Sequence, residues 1–353
     1  EFVAQAQAAN ITYTLPPDDG DASEVLQTDG SGSLTWVAQS GGTPPLSPGG
    51  RLTLTSATPV LTADVTASTS IYYALYLHDK VPLYDGSSWT YTTFTELTNT
   101  TTDNTKNPAA VAVSSVYDLF VWSDSGTIRL GRGPAWTSDT ARGTGAGTTE
   151  LERVNGIWMN KIAITNGPAA QRGTYVGTVR SNASSQIDFK FGSIAAGGGA
   201  AWFGVWNTYN RVLMSALVRD SDSFWTYATA TWRAPNGSAT FRVSAVVGLN
   251  EDSVSAIYST FVAVGDSNAG NARISIGLDS TTAIGQLANI CFVSGLTLGQ
   301  AYLMQAPTYI GLLGLGFHFV TGLEYALSGT FTNFGDFNAP TTSQTGLQFI
   351  GRF

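Results

Sequence analysis

The chain has 353 residues, a net charge of −8, and only 12% charged side chains, against about 25% in an average soluble protein. Hydrophobic residues make up 43% and there are nine tryptophans, so a large core is available and disorder is excluded. The acidic balance excludes nucleic acid as a main partner, because phosphate binding needs a basic patch; it leaves room for a locally basic groove.

In chain order, the first ten residues carry neither the basic start nor the apolar stretch of an intact signal peptide. Residues 23–37, SEVLQTDGSGSLTWV, predict a β-hairpin. Asp29, Gly30, Ser31 and Gly32 supply the turn, with arms at 25–28 and 34–37. A lone hairpin is marginal in water, and its flanks, TLPPDDGD and AQSGGTPPLSPGGR, are too polar and proline-rich to form its cover. Strand patterns then recur at 70–79, 81–94, 117–131, 156–164, 173–181, 223–234, 239–249, 254–265, 272–279, 316–327 and 329–336. Two of these read as hairpins, about Asp85-Gly86-Ser87-Ser88 and about Ser123-Asp124-Ser125-Gly126. No convincing segment over ten residues shows helical periodicity, and no apolar run reaches membrane-spanning length. Many short strands separated by turn clusters indicate an all-β chain of sandwiches or barrels.

Three zones emerge: 1–60, a polar N-terminal attachment or stalk region; 61–195, a first β-rich domain; and 196–353, a second β-rich domain and candidate receptor-binding domain. The run GSIAAGGGAAWFG at 192–204 marks the second boundary, since small residues cannot make a half-buried strand.

Recognisable catalytic chemistry is sparse. Gly143, Gly145 and Gly147 lie in a glycine-rich run, 131–153, without the strand-turn-helix context of a phosphate cradle. That run reads as a structural loop allowing close backbone approach. His78 and His318 are the only histidines and read as surface or hydrogen-bonded groups; no metal-ligand spacing occurs. Cys291, the single cysteine, reads as a buried small hydrophobe. The carboxylate pairs Glu150/Glu152, Asp220/Asp222, Glu251/Asp252 and Glu324/Asp336 suggest solvated turns or edges more than a glycosidase pair. No cofactor is expected.

Aromatic residues give a stronger pattern. Trp202, Trp206 and Tyr209 cluster in WFGVWNTYNR, followed by Trp225, Tyr227 and Trp232 in FWTYATATW. Phe224 and Thr226 should face one side of their strand, Trp225 and Tyr227 the other. Such rings either stack on sugar rings or pack a core.

The segment LPPDDGDASEVLQTDGSGSLTWV, together with VPLYDGSSWTYTTFTEL, YDLFVWSDSGTIRLGRGPAWTSDTARGTGAGTTELERVNGIWMNK, RGTYVGTVR, WNTYNRV and SFWTYATATWR, resembles virion-surface fibre and spike proteins of tailed bacteriophages and of phage-like gene transfer agents. The resemblance implies an N-terminal stalk followed by β-sandwich, jelly-roll-like domains, in a homotrimer on the virion surface. It implies a non-enzymatic structural protein that adsorbs to a host-surface polysaccharide, with other virion proteins as partners of the N-terminal region and no membrane insertion. In a trimer, Val25, Leu34 and Trp36 would bury one another across subunits. A head decoration or capsid-associated fibre is the alternative, and a capsule-depolymerising spike enzyme the second.

Overall fold

A computed structural model describes residues 12–21, 24–38, 47–264, 270–296, 303–337 and 343–353. The chain forms two compact units, Glu1–Pro44 and Pro45–Phe353.

In the first unit, strands Glu24–Thr28 and Leu34–Ala38 pair antiparallel. Asp29 organises the turn, its Oδ1 accepting the Ser31 and Ser33 amides. Trp36 finds part of its cover within its own chain. Its Nε1 donates to the Asp18 carbonyl at 3.0 Å. Its ring lies against Gly20, where a Cβ would stand 2.6 Å from the ring and where φ is +72°. Thr14 and Ser33 form a bridge, so the Leu-Pro-Pro segment folds back over the hairpin. The turn-rich flank, unable to make a core by itself, thus covers part of Trp36 through one glycine and one carbonyl, and the side chain is half-buried. Leu34 is half-buried, while Val25 and Leu26 stay 41% and 42% exposed.

The second unit is all-β. Among the described residues the one helical element is a 3₁₀ turn at Pro235–Gly237. Three large sheets carry it. A six-stranded sheet has the order Thr127–Arg132, Val116–Asp124, Thr174–Arg180, Ile157–Asn160, Leu151–Val154, with Val205–Asn207 also on Thr174–Arg180. A seven-stranded sheet runs from Cys291–Leu296 through Gly270–Leu278, Gly316–Ser328, Arg242–Val247, Ala201–Phe203 and Ile187–Lys190 to Val65–Ser68. An eight-stranded sheet centres on Gly346–Arg352, between Leu213–Asp220 and Ser253–Val264. The last two sheets form a sandwich. Phe203 of one meets Phe349 of the other at 6.0 Å and Phe353, just after the same strand, at 4.9 Å, and Phe241 meets Tyr258 at 5.6 Å. Leu213–Asp220 alternates exposed and buried residues, the signature of a sheet with one face on the core.

The zone boundaries differ from those read in the sequence. The fully buried strand Gly50–Thr53 belongs to the second unit, tied by the Leu52 amide to Asn207 Oδ1 at 2.6 Å. Sheets also cross position 195: Val65–Ser68 and Ile187–Lys190 lie in the seven-stranded sheet, and Val205–Asn207 in the six-stranded one. One contiguous core runs from Leu52 to Phe353. The run GSIAAGGGAAWFG is an interior crossing, not a linker. A Cβ on Gly198 would stand 2.5 Å from the Phe241 ring, and Ala201 is fully buried.

A buried ion pair joins these layers. Asp118, fully buried, accepts from Arg142 Nε at 2.6 Å, Trp136 Nε1 at 3.0 Å and Thr178 Oγ1 at 2.6 Å. Arg142 comes from the glycine-rich run, where Gly143, Gly145 and Gly147 all have φ near +80°, and it also donates to the Gly248 carbonyl. Removing one partner of such a pair leaves an uncompensated buried charge. Asp118→Asn should therefore lower unfolding stability by about 3–5 kcal/mol in a denaturant titration, and Asp118→Asn with Arg142→Met should be less destabilised than the single variant.

Candidate functional site

The six aromatics singled out in the sequence do not form one surface. Trp206 is 1% exposed and lies in the core, with Arg211 over its ring at 5.0 Å. Trp225 is 6% exposed, and its Nε1 donates to Glu324 Oε2 at 2.7 Å. Tyr227 is buried beneath Arg233 and donates to the Thr231 carbonyl. These three are core residues, which corrects their assignment as sugar-stacking rings: strand alternation turns Trp225 and Tyr227 inward and leaves Phe224 57% exposed. Trp202, Tyr209 and Trp232 are half-buried. Trp202 packs on Phe317 and Trp232 on Tyr325, and the Tyr209 hydroxyl accepts the Trp158 amide.

Three of the four carboxylate pairs are taken up by structural partners, whereas in the fourth, Glu324/Asp336, the Asp336 Oδ1 is buried without a hydrogen-bond partner. Glu150 pairs with Lys161 at 2.6 Å, and Glu152 accepts from Gln171 Nε2 at 2.7 Å. Glu251 and Asp252 share Arg211. Asn236 Nδ2 bridges Asp220 and Asp222. Asp220 is fully buried, and burial raises its pKa. His318 is buried with Nδ1 2.7 Å from Asp279; burial alone would lower it, but the Asp279 carboxylate holds it above the ordinary histidine value. His78 Nδ1 accepts the Lys80 amide. Cys291 is half-buried rather than buried, because it opens an edge strand.

Glu324 is the most perturbed of the paired carboxylates. It is 1% exposed and held by Trp225 Nε1 and by Arg233 Nε, each at 2.7 Å. Burial pushes its pKa up to about 7 against these two donors. The folded chain thus binds this proton more tightly than the unfolded chain does. Stability from this group is complete below the ordinary glutamate value and is lost as pH rises toward 7. Glu324→Gln should remove that fall, on the order of a few kcal/mol, from a pH series of thermal unfolding curves.

An accessible concavity of the second unit lies elsewhere, between the two Asp/Ser/Gly turns; another, of about 600 Å³, lies in the first unit around Pro16–Gly20 and Trp36. Strands Lys80–Tyr84 and Trp89–Thr93 make one hairpin; Val116–Asp124 and Thr127–Arg132 make the other. Between them runs an open groove of about 680 Å³, lined by Tyr84, Asp85, Thr90, Thr92, Asp124 and Arg172 among others. The Tyr84 ring packs on Trp89 at 5.1 Å. The Asp85 carboxylate accepts the Ser87 and Ser88 amides and both hydroxyls at 2.8–2.9 Å, and those bonds hold it well below the usual carboxylate range. Asp124 is lowered by its bonds from Lys106 and Arg129, at 2.8 and 2.7 Å. Hydroxyls, a tyrosine face and fixed charges in an open trough suit a polar, ring-shaped ligand such as a sugar. The sequence shows both turns and their aromatic neighbours; it does not show that the turns stand side by side, nor that Arg172 reaches between them. Among the described residues no three of His, Cys, Asp and Glu gather as a metal site.

No protein-family model matches the chain, and no curated protein matches it. Among solved structures, dimeric latent PorU from Porphyromonas gingivalis aligns over 69% of this chain and 24% of its own, at 11% identity and a TM-score of 0.27. A Bacillus thuringiensis Cry1Da tryptic core variant aligns over 81% of this chain and 48% of its own, at 8% identity and a TM-score of 0.19. An exo-β-1,3-galactanase from Phanerochaete chrysosporium aligns over 94% and 75%, at 13% identity and a TM-score of 0.14. The chain spans about a quarter of PorU and about half of the Cry1Da core. Scores this low carry no functional argument.

Proposed function

We propose that this chain is a virion-surface fibre or spike protein that adsorbs to a host-surface saccharide through the groove between its two hairpin turns. It is a binding protein, not an enzyme, and works as a homotrimer carried on the virion by its N-terminal region. The observation that carries the binding role is the groove itself: an open trough with a tyrosine face, threonine hydroxyls and two structurally fixed aspartates. The absorption of Glu150/Glu152, Asp220/Asp222 and Glu251/Asp252 into ion pairs and side-chain hydrogen bonds supports binding without cleavage. Weak contacts at each groove gain strength by repetition over three chains and many copies.

The outer face of the eight-stranded sheet supports self-association. Leu213, Leu217, Ile310, Leu312 and Ile350 point away from the sandwich core and are 38–67% exposed. Ile350 and Ile310 both stand opposite Ser255, so they lie in one cross-strand row. Apolar faces of this kind mark interaction surfaces. Ile310→Glu with Ile350→Glu should convert a trimer to monomers in light scattering; a trimer that survives the pair places the interface elsewhere.

Binding is tested on an array of bacterial surface polysaccharides. Tyr84→Ala should weaken binding about tenfold while the unfolding midpoint is kept. Trp206→Ala should act only through stability, losing about 3–5 kcal/mol. Array binding untouched by Tyr84→Ala but abolished by Trp202→Ala or Trp232→Ala would return the site to the 202–232 aromatics.

A further inference from the structure

Arg172 is an unusual arginine. Arg132, Arg211 and Arg219 each also bury one guanidinium nitrogen without a hydrogen-bond partner, but each bonds a carbonyl or carboxylate oxygen through another, as Arg51, Arg142, Arg180 and Arg233 do. Arg172 lines the groove, yet its Nη1 is buried without a hydrogen-bond partner. Its guanidinium carbon stands 5.9 Å from the centre of the Tyr84 ring. It lies close against Gly86, where a Cβ would be 2.1 Å from Nη2.

Its backbone is fixed in advance. Fully buried Asn160 donates through Nδ2 to the Ile162 and Ala169 carbonyls and accepts the Gly173 amide. The Arg172 amide donates to Ala169, and the Gln171 amide to the Asn160 carbonyl. The loop is therefore stitched on both sides of Arg172, although the side chain itself gains nothing from it. A buried donor left unsatisfied costs stability, so the Arg172 side chain is not kept in place by hydrogen bonds within the chain.

Charge around the groove points to the ligand class. Asp124 is matched by two cations, Lys106 and Arg129. Asp85 is held by uncharged serine donors. Counting Arg172, these five groups leave one positive charge in a chain whose net charge is −8. One excess cation suits one carboxylate, whereas a dianionic phosphate would leave negative charge facing Asp124. The guanidinium fork is also the side chain best shaped for a carboxylate.

We infer that the saccharide held in this groove is acidic, carrying a carboxylate that Arg172 binds while the Tyr84 face packs on the ring. This rests on the reading of the groove as a saccharide site. The test uses the full chain on an array that includes uronate- and sialate-bearing polysaccharides, their carboxyl-reduced counterparts, neutral polysaccharides, and sulfated or phosphorylated ones. The expected result is binding to carboxylate-bearing members that is lost on carboxyl reduction. Arg172→Gln should weaken it by about tenfold or more, with Arg172→Lys intermediate. The unfolding midpoint of Arg172→Gln should stay level or rise, because an unsatisfied buried donor is removed; a structural role would lower it. Binding to neutral members only, unchanged by Arg172→Gln, overturns the acidic ligand and leaves the groove as a saccharide site. Binding confined to sulfated or phosphorylated members also overturns the carboxylate. Binding to no member overturns both readings.

Discussion

The buried pair of Asp118 and Arg142 is the constraint on which the rest of this fold depends. Asp118 sits on strand Val116–Asp124, between Thr127–Arg132 and Thr174–Arg180 in the six-stranded sheet, and is fully buried. An isolated carboxylate there would cost far more than the chain can spare. Four side-chain bonds offset that cost, from Arg142 Nε and Nη2, Trp136 Nε1 and Thr178 Oγ1. Arg142 carries the bond outward to the Tyr175 hydroxyl and to Gly248, just beyond the Arg242–Val247 strand of the seven-stranded sheet. A Cβ on Gly248 would stand 2.2 Å from the Tyr175 hydroxyl, so only glycine lets the two sheets approach here. The same strand Val116–Asp124 ends in the turn that walls the groove. The frame that satisfies a buried charge at one end of that strand thus positions the candidate site at the other.

Much of the fold was legible in the sequence because period-two alternation and turn chemistry are local. The hairpins about Gly86 and Gly126 form where the Asp/Ser/Gly clusters stand, and the alternation of Phe224 to Tyr227 is as the pattern predicts. What local pattern does not carry is partnership across the chain. Strand Gly346–Arg352 is not among the strand patterns read in the sequence, yet it sits inside the eight-stranded sheet, between Leu213–Asp220 and Ser253–Val264. Small residues at 192–204 look like a linker because composition cannot distinguish a glycine needed only for freedom from one needed for closeness; Gly198, at φ +95° and against Phe241, is needed for both. The partial cover over Trp36 escaped notice for a related reason: it depends on one carbonyl and one glycine, not on an apolar surface.

The site was less legible than the fold. A cluster of tryptophans is equally the mark of a core and of a sugar platform, and here burial assigns Trp206 and Trp225 to the core. The groove residues are ordinary in sequence: a tyrosine at a strand end, two turn aspartates, and an arginine in a glycine-bounded loop. Their juxtaposition is tertiary. It follows from the antiparallel pairing that sets Thr174–Arg180 beside Val116–Asp124 and brings the 169–172 loop alongside both turns.

The most direct measurement of this account is hydrogen–deuterium exchange of the intact chain, free and saturated with a polysaccharide that it binds. The account predicts slowed exchange at the two turns, residues 83–92 and 122–128, and at 169–173, with the 202–232 strands unchanged. Protection centred on 202–232, with the turns exchanging as in the free chain, would contradict it.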